Sequence, residues 1–358
     1  MLLRSSAALT HAYRYYMDYL YHTKITMPKM PDLVHSLPYI VSFLLLRYVL
    51  SNYVFRRLGD KLIAPARPAG KLDPEVRQLR LERFGTCIFK FLYFCAITRF
   101  GYRLLRDEDI LPDCLRFFES RAAGPMSVTE AAFVNYPNHD MSAAMQFYYF
   151  VQLGYHVHSL LWTLVQPRRN DFAEMMLHHI STAILIITSY TLNYIRGGAQ
   201  IMLVHDIADI FGYAVKASVD TPYTLCTLTL YLGLLISWGW TRLWIFPRYI
   251  ISSVMNDAGS YAPEPIRYVP HVSAILLVVL AVLHYYWYAL FIRMGVLFLR
   301  TGETVDIQHR VEKPQDIKPV ARSKVTTCEP RDRQDCALLP ALDQTRKVEK
   351  PAKSSRQT

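Results

Sequence analysis

The chain has 358 residues, of which 52% are hydrophobic and only 19% are charged. The apolar residues form runs long enough to cross a bilayer, which indicates a polytopic membrane protein and excludes an ordinary soluble domain. The net charge of +11 lies mostly in loops and in the C-terminal part, as expected for topology signals, so we expect no nucleic-acid partner.

The apolar runs predict an all-α fold with about seven transmembrane helices. Residues 1–35 are expected to form a polar and aromatic arm, and residues 36–83 the first span and a basic loop. Residues 84–301 hold the remaining spans, and residues 302–358, which lack apolar periodicity, are expected to be a disordered tail. The predicted spans lie at roughly 36–55, 84–105, 142–166, 172–195, 198–217, 222–251 and 268–299.

The distribution of basic residues predicts the topology. The connection after the first span carries eight Lys or Arg residues between 56 and 83, and the positive-inside rule places it in the cytosol. Seven spans then put the N-terminus in the lumen and the C-terminus in the cytosol. Arg196 and the arginines of 103–121 are exceptions on the lumenal side. Arg47, the lone charge of the first span, is expected to face protein instead of lipid.

Two consecutive apolar segments carry ionisable residues, although an Asp near a helix centre costs about 2.5–3.5 kcal/mol in a bilayer. The fourth predicted span has His178 and His179, and the fifth has His205, Asp206 and Asp209. At ~1.5 Å per residue, His178 and Asp209 both lie about 10 Å below the cytosolic surface. Five ionisable side chains in neighbouring segments therefore predict a polar site within the membrane.

The fourth predicted span continues this polar character along its length. One stripe runs from His178 through Thr182, Leu185, Ser189 and Asn193, and Tyr190 runs beside it. Polar stripes on consecutive antiparallel helices can line one cavity, here open toward the cytosol.

Structural explanations stay open at this point. The carboxylates could pair with basic residues of other helices, and Lys216 could snorkel to the interface. His205 points about 100° away from Asp206, so a structural role fits it as well as a catalytic one.

The sequence gives no reason to expect a metal or a cofactor. Adjacent histidines on a helix point about 100° apart, so His178 and His179 rarely reach one ion. The twelve histidines of the chain do not form the dense arrays that membrane di-iron enzymes need. Neither a glycine-rich phosphate loop nor a GxSxG motif occurs.

A series of short motifs resembles the signature of the ceramide synthases. These are RRNDF, an HH pair after five intervening residues, then NYIRGG, HDIAD and Lys216. These are the longevity-assurance branch of the TLC-domain membrane proteins. The resemblance covers roughly residues 84–301 and implies a first helix followed by a six-helix TLC-type domain in the endoplasmic reticulum. Two departures, Asn170 in place of a basic residue and Tyr213 in place of an acidic one, are expected to alter contacts at the cavity mouth.

The resemblance implies transfer of a fatty acyl group from acyl-CoA to the amino group of a sphingoid base, giving ceramide or dihydroceramide. By the same resemblance, His178, His179, Asp206 and Asp209 take the catalytic positions. The thioester is already activated, so the reaction needs no metal, but the ammonium must lose a proton. A histidine near a carboxylate suits that task.

The expected partners are acyl-CoA, a sphingoid base and membrane lipids, and homo- and hetero-oligomers are both open. We expect substrate contacts from Arg168, Arg169, Thr182, Ser189, Tyr190, Asn193, His205 and Lys216. Of these, the two arginines and Lys216 are expected beside CoA. The resemblance points to the loop 252–267 for the choice of acyl-chain length. The alternative is a non-enzymatic TLC-type protein for lipid handling or translocation assistance, whose His/Asp stripe would serve packing alone.

Overall fold

The computed structural model describes residues 14, 30–63, 74–116, 126–166, 170–262, 267 and 269–301. Three predictions therefore fall outside the described residues: most of the N-terminal arm, the tail from residue 302, and the CoA contacts of Arg168 and Arg169. Every regular element in the described part of the chain is helical.

Seven long helices and one short one make up the described residues. The long helices are α1 (Met30–Leu62), α2 (Pro74–Asp107), α4 (Ala143–Val165), α5 (Phe172–Thr191), α6 (Ile195–Ser218), α7 (Thr224–Tyr261) and α8 (Val269–Thr301). The short helix α3 (Val128–Phe133) and a 3₁₀ turn at Asp113–Leu115 lie between α2 and α4.

Five of the long helices, α1, α2, α5, α7 and α8, are long and apolar enough to cross a membrane by length and composition. The helices α4 and α6 are also longer than 20 residues, but they carry buried polar groups such as Gln152 and Asp206. A helix that faces protein instead of lipid tolerates such residues. The all-α multi-pass membrane fold is thus confirmed, and the count of seven crossings stays a prediction.

The central helix is α6, which packs along α2 and α7 and also contacts α3 and α5. The predicted inward orientation of Arg47 on α1 is confirmed, since this side chain is buried. Its guanidinium lies 4.2 Å from the Trp162 ring centroid, and its Nη2 lies 3.4 Å from the Thr86 hydroxyl. These contacts join α1 to α2 and α4.

The middle of α7 is widened into a π-helix from Gly239 to Ile251. Pro247 lies inside it and has no N–H to donate to the preceding turn. The hydroxyl of Tyr285, on α8, donates to the Leu243 carbonyl at 3.4 Å. Wide turns of this kind are frequent at functional sites, and this one carries the buried side chain of Arg242.

An ion pair fixes the end of α6 to the first part of α2. Arg83 donates to Asp220 through Nε, at 3.1 Å, and through Nη2, and the two side chains are only 8% and 6% exposed. We expect Asp220→Ala to lower the free energy of unfolding by about 3–5 kcal/mol, because a buried arginine loses the carboxylate that balances its charge. The midpoint of thermal unfolding in detergent measures this loss.

The matched control is the ion pair between Arg77 and Asp60, which is 2.9 Å long but 46% and 43% exposed. Asp60→Ala is expected to cost less than about 1 kcal/mol, since water screens an exposed pair. Equal losses in the two variants would contradict a special structural role for Asp220.

Candidate active site

Two adjoining chambers lie among α4, α5, α6, α7 and α8. The outer chamber occupies the end of the fold where α5 begins and α6 ends, and the space among its lining residues, part of it open to solvent, is about 1340 Å³. The inner chamber reaches toward the opposite end, where α5 is followed by α6, and the space among its lining residues, part of it open to solvent, is about 930 Å³. Four side chains line both chambers and are here called the neck: His156, His178, Asp209 and Arg242.

The two consecutive histidines of α5 take different places. His178 lies in the neck, whereas His179 is buried and lines the outer chamber. Their ring centroids are 5.6 Å apart. Thr182 and Ser189 follow His178 along the inner chamber, so the polar stripe of α5 does line a cavity.

An ion pair spans the neck between α6 and α7. Nη2 of Arg242 lies 2.8 Å from Oδ1 of Asp209 and donates to the His205 carbonyl, also at 2.8 Å. The guanidinium lies 4.0 Å from the Trp238 ring centroid. Within the described residues, its buried Nε has no hydrogen-bond partner. One donor of this cation is therefore left unsatisfied beside the neck.

The second carboxylate is held by α4. Asp206 is buried and accepts from Nε2 of Gln152 at 2.6 Å and from the Tyr148 hydroxyl at 3.5 Å. Gln152 in turn accepts from the Tyr93 hydroxyl at 3.0 Å. Asp206 and Asp209 thus lie one helical turn apart with different partners, a neutral network for the first and an arginine for the second.

Three imidazoles meet near the neck. Nδ1 of His205 lies 2.6 Å from the Ile201 carbonyl, and a carbonyl can only accept, so Nδ1 carries the proton and Nε2 is the basic nitrogen. His284 on α8 lies 4.9 Å from His205 and 6.4 Å from His178 between ring centroids. In the part of the chain that the structure describes, no group of three or more His, Cys, Asp or Glu side chains is placed to hold a metal ion.

The family model for the TLC domain matches residues 83–293. The chain belongs to the TLC-domain family. Ceramide synthase hyl-2 of Caenorhabditis elegans is 27% identical over 281 residues, which is 75% of this chain and 80% of the relative. Ceramide synthase LOH2 of Arabidopsis thaliana is 27% identical over 280 residues, or 76% and 89%. Ceramide synthase 4 of Mus musculus is 30% identical over 190 residues, or 52% and 48%.

Some neck and chamber residues of this TLC domain were missed in the sequence. Arg242 and Lys90 are charges inside predicted spans, the same signal that pointed to Asp209, so they could have been found. His156, in the neck, and His284, which lines neither chamber but lies beside His205, are isolated in the sequence, and only the packing of α4 and α8 brings them to the other histidines.

Two residues expected along the cavity of the TLC domain lie outside both chambers. Tyr190 is fully buried and packs against Tyr149, with ring centroids 5.7 Å apart, because it faces α4. Asn193 follows the end of α5 in a left-handed turn, with φ of 59°, and donates its amide to the His139 carbonyl at 3.1 Å. Burial lowers the pKa of His139. Both residues stabilise the fold instead of lining the cavity.

Proposed function

We propose that this protein is a ceramide synthase, which transfers the fatty acyl group of acyl-CoA to the amino group of a sphingoid base. The observation that carries this proposal is the neck. There two imidazoles, a carboxylate and a guanidinium line both of two chambers of different character. The relatives named ceramide synthases, which align along most of this chain, support the same reaction.

The outer chamber suits the CoA part of the substrate. Lys90 and Lys216 lie 5.0 Å and 5.8 Å from the Tyr213 ring centroid, so two ammonium groups flank one wall of this chamber. Ammonium groups attract phosphate. Thr224, the exposed first residue of α7, also lines the chamber, which therefore reaches the surface at this end. We infer that this end faces the cytosol, where acyl-CoA is dissolved.

The inner chamber suits hydrocarbon. Its walls are mostly apolar and include Leu185, Ile186, Ile201, Met202, Leu277 and Leu280. A fatty chain in this chamber and CoA in the outer one would place the thioester carbonyl in the neck. His178 and the remaining donor of Arg242 would then lie beside the reacting carbon and its oxygen.

Amide formation requires that the amine loses a proton and that the carbon–sulfur bond breaks. His178, in the neck, is the proposed acyl acceptor, and His179, in the outer chamber, the proposed base for the incoming amine. Arg242 would donate to the thioester oxygen as negative charge develops on it. The CoA thiolate leaves through the outer chamber, and the transfer uses no metal or cofactor.

A direct assay tests this proposal. The purified protein is incubated with acyl-CoA and sphinganine, and both N-acylated product and released CoA are measured. Equal amounts of the two, above a control without sphingoid base, are expected. No product with any acyl-CoA from C14 to C26, from protein that is folded and inserted, would contradict a synthase and favour a non-enzymatic role in lipid handling.

The proposed location is the endoplasmic reticulum membrane, with the N-terminus in the lumen and the C-terminus in the cytosol. Tyr223 and Ser260 are exposed at opposite ends of α7. In a variant without native cysteines, Tyr223→Cys is expected to react with an impermeant maleimide outside sealed microsomes. Ser260→Cys is expected to react only after the membrane is opened. The reverse pattern would invert the topology, and equal access to both would mean that α7 does not cross.

A further inference from the structure

Buried side chains line the inner chamber at the end away from the neck. Phe133, Tyr194 and Ala258 line this end and are only 3%, 9% and 0% exposed. Along α5, the wall from His178 to Ser189 is about 16 Å long at ~1.5 Å per residue. A ligand that enters through the neck therefore meets these three buried side chains, here called the end wall, at the far end.

The end wall is anchored by hydrogen bonds. Phe133 is the last residue of α3, whose first turn is closed by a capping box between Ser127 and Glu130. The hydroxyl of Thr129, also on α3, donates to Asp257 of α7 at 2.7 Å. The six-residue helix that ends at Phe133 is therefore capped at its start and bonded to a neighbouring helix.

Aromatic rings stand behind Phe133. Its ring meets Tyr194 edge-on and stacks on Tyr261, in both cases with centroids 6.1 Å apart. Tyr194 stacks on Tyr136 at 4.4 Å. A packed layer of this kind resists insertion of further methylene groups, because overpacking strains the surrounding rotamers.

We propose that Phe133 sets the upper limit on acyl-chain length by forming this end wall. The inference rests on the proposed function, because the ligand in the inner chamber is taken to be the fatty chain of acyl-CoA. The segment 252–267, to which the resemblance points for length selection, contributes Val254 and Ala258 to the same chamber. Phe133 belongs to a different connection, between α2 and α4, for which the resemblance implies no role.

Two variants change the chamber in opposite directions. Phe133→Ala removes the ring and extends the chamber toward Tyr261. Gly197→Ala adds a methyl group to the wall, where a Cβ meets only Ala132, at an ordinary 3.5 Å. The control is Val134→Ala, since Val134 follows Phe133 directly but is exposed and lines neither chamber.

The measurement is a competition among acyl-CoAs of C14 to C26 in one reaction with sphinganine. The ratio of long to short product does not depend on how much enzyme is folded. We expect Phe133→Ala to raise this ratio by about tenfold and Gly197→Ala to lower it, since a methylene in an apolar pocket changes selectivity by that order.

The outcomes separate this inference from the proposed function. An active wild-type enzyme whose ratio is the same in Phe133→Ala, Gly197→Ala and Val134→Ala would overturn the role of the end wall and leave the synthase standing. If Phe133→Ala gives no product, Gly197→Ala tests the end wall instead: a lowered ratio supports it, and an unchanged ratio overturns it. A wild-type protein that forms no N-acylated sphinganine would instead contradict the proposed function itself.

Discussion

His178→Ala is expected to reduce acyl transfer by roughly a thousandfold or more, while the protein stays inserted and folded. His178 is the member of the His pair that lines both chambers, so its imidazole can reach a carbonyl whose chain lies in the inner chamber and whose CoA lies in the outer one. His179 lines the outer chamber but not the inner one. The measurement is turnover at saturating acyl-CoA and sphinganine.

This division of positions favours transfer in two steps. In the first, an imidazole nitrogen of His178 bonds to the thioester carbon, the carbon–sulfur bond breaks, and CoA leaves as the thiolate. In the second, the amine attacks the same carbon, the bond to imidazole breaks, and the amine proton passes to His179. An acyl-imidazole is reactive toward amines, and a site poor in water protects it from hydrolysis.

Intact mass distinguishes the two-step route from direct transfer. Protein incubated with acyl-CoA alone should gain one acyl mass, and sphinganine should remove it. His178→Ala should show no adduct, whereas the matched variant His179→Ala should form it and discharge it slowly. If no adduct forms and CoA is released only with both substrates present, transfer is direct and His178 acts as a base or a positioning group.

Much of the site could be expected from helical spacing, because α5 and α6 are regular. The number of residues from a helix end gives the depth of a side chain in the membrane, because a regular helix rises by a constant amount per residue. His178 and Asp209 are equally far from the cytosolic ends of their helices, and both lie in the neck. The same regularity carries Thr182 and Ser189 into the inner chamber. Tyr190, expected beside this stripe, packs against α4 and lines neither chamber.

Helical spacing could not predict which residues of distant segments contact each other. Arg242 lies in a π-helical stretch, where each turn holds more residues than in an α-helix, so α-helical periodicity misplaces its side chain. Gln152 carries no charge, and only the packing of α4 against α6 shows that it holds Asp206. These contacts join residues far apart in the sequence and depend on helix packing.

The second large effect is expected at the ion pair of the neck. Asp209→Asn should lower turnover by roughly a hundredfold or more, because the charge that faces the reacting groups is lost. It should also destabilise the protein by about 2 kcal/mol, since Arg242, only 3% exposed, loses its carboxylate. Turnover and the midpoint of thermal unfolding in detergent are measured on the same preparation.

Two further variants separate these effects. Asp206→Asn removes the other proposed catalytic carboxylate and leaves the pair of Asp209 with Arg242 in place, so turnover should fall without the loss of stability that an unpaired Arg242 causes. In the double variant Asp209→Asn/Arg242→Gln no buried cation is left unbalanced, and stability should return toward the wild-type value. Activity should not return, because both groups are proposed to face the thioester.

The double variant shows whether the ion pair of Asp209 and Arg242 has a catalytic role or only a structural one. If Asp209 only balanced the charge of Arg242, removing both charges would restore the geometry and with it most of the turnover. Recovery of stability without recovery of turnover assigns the pair to the reaction, as expected where a carboxylate and a guanidinium line both chambers at one constriction. Recovery of both stability and turnover would give Asp209 and Arg242 a structural role only, and would leave the histidines as the catalytic residues.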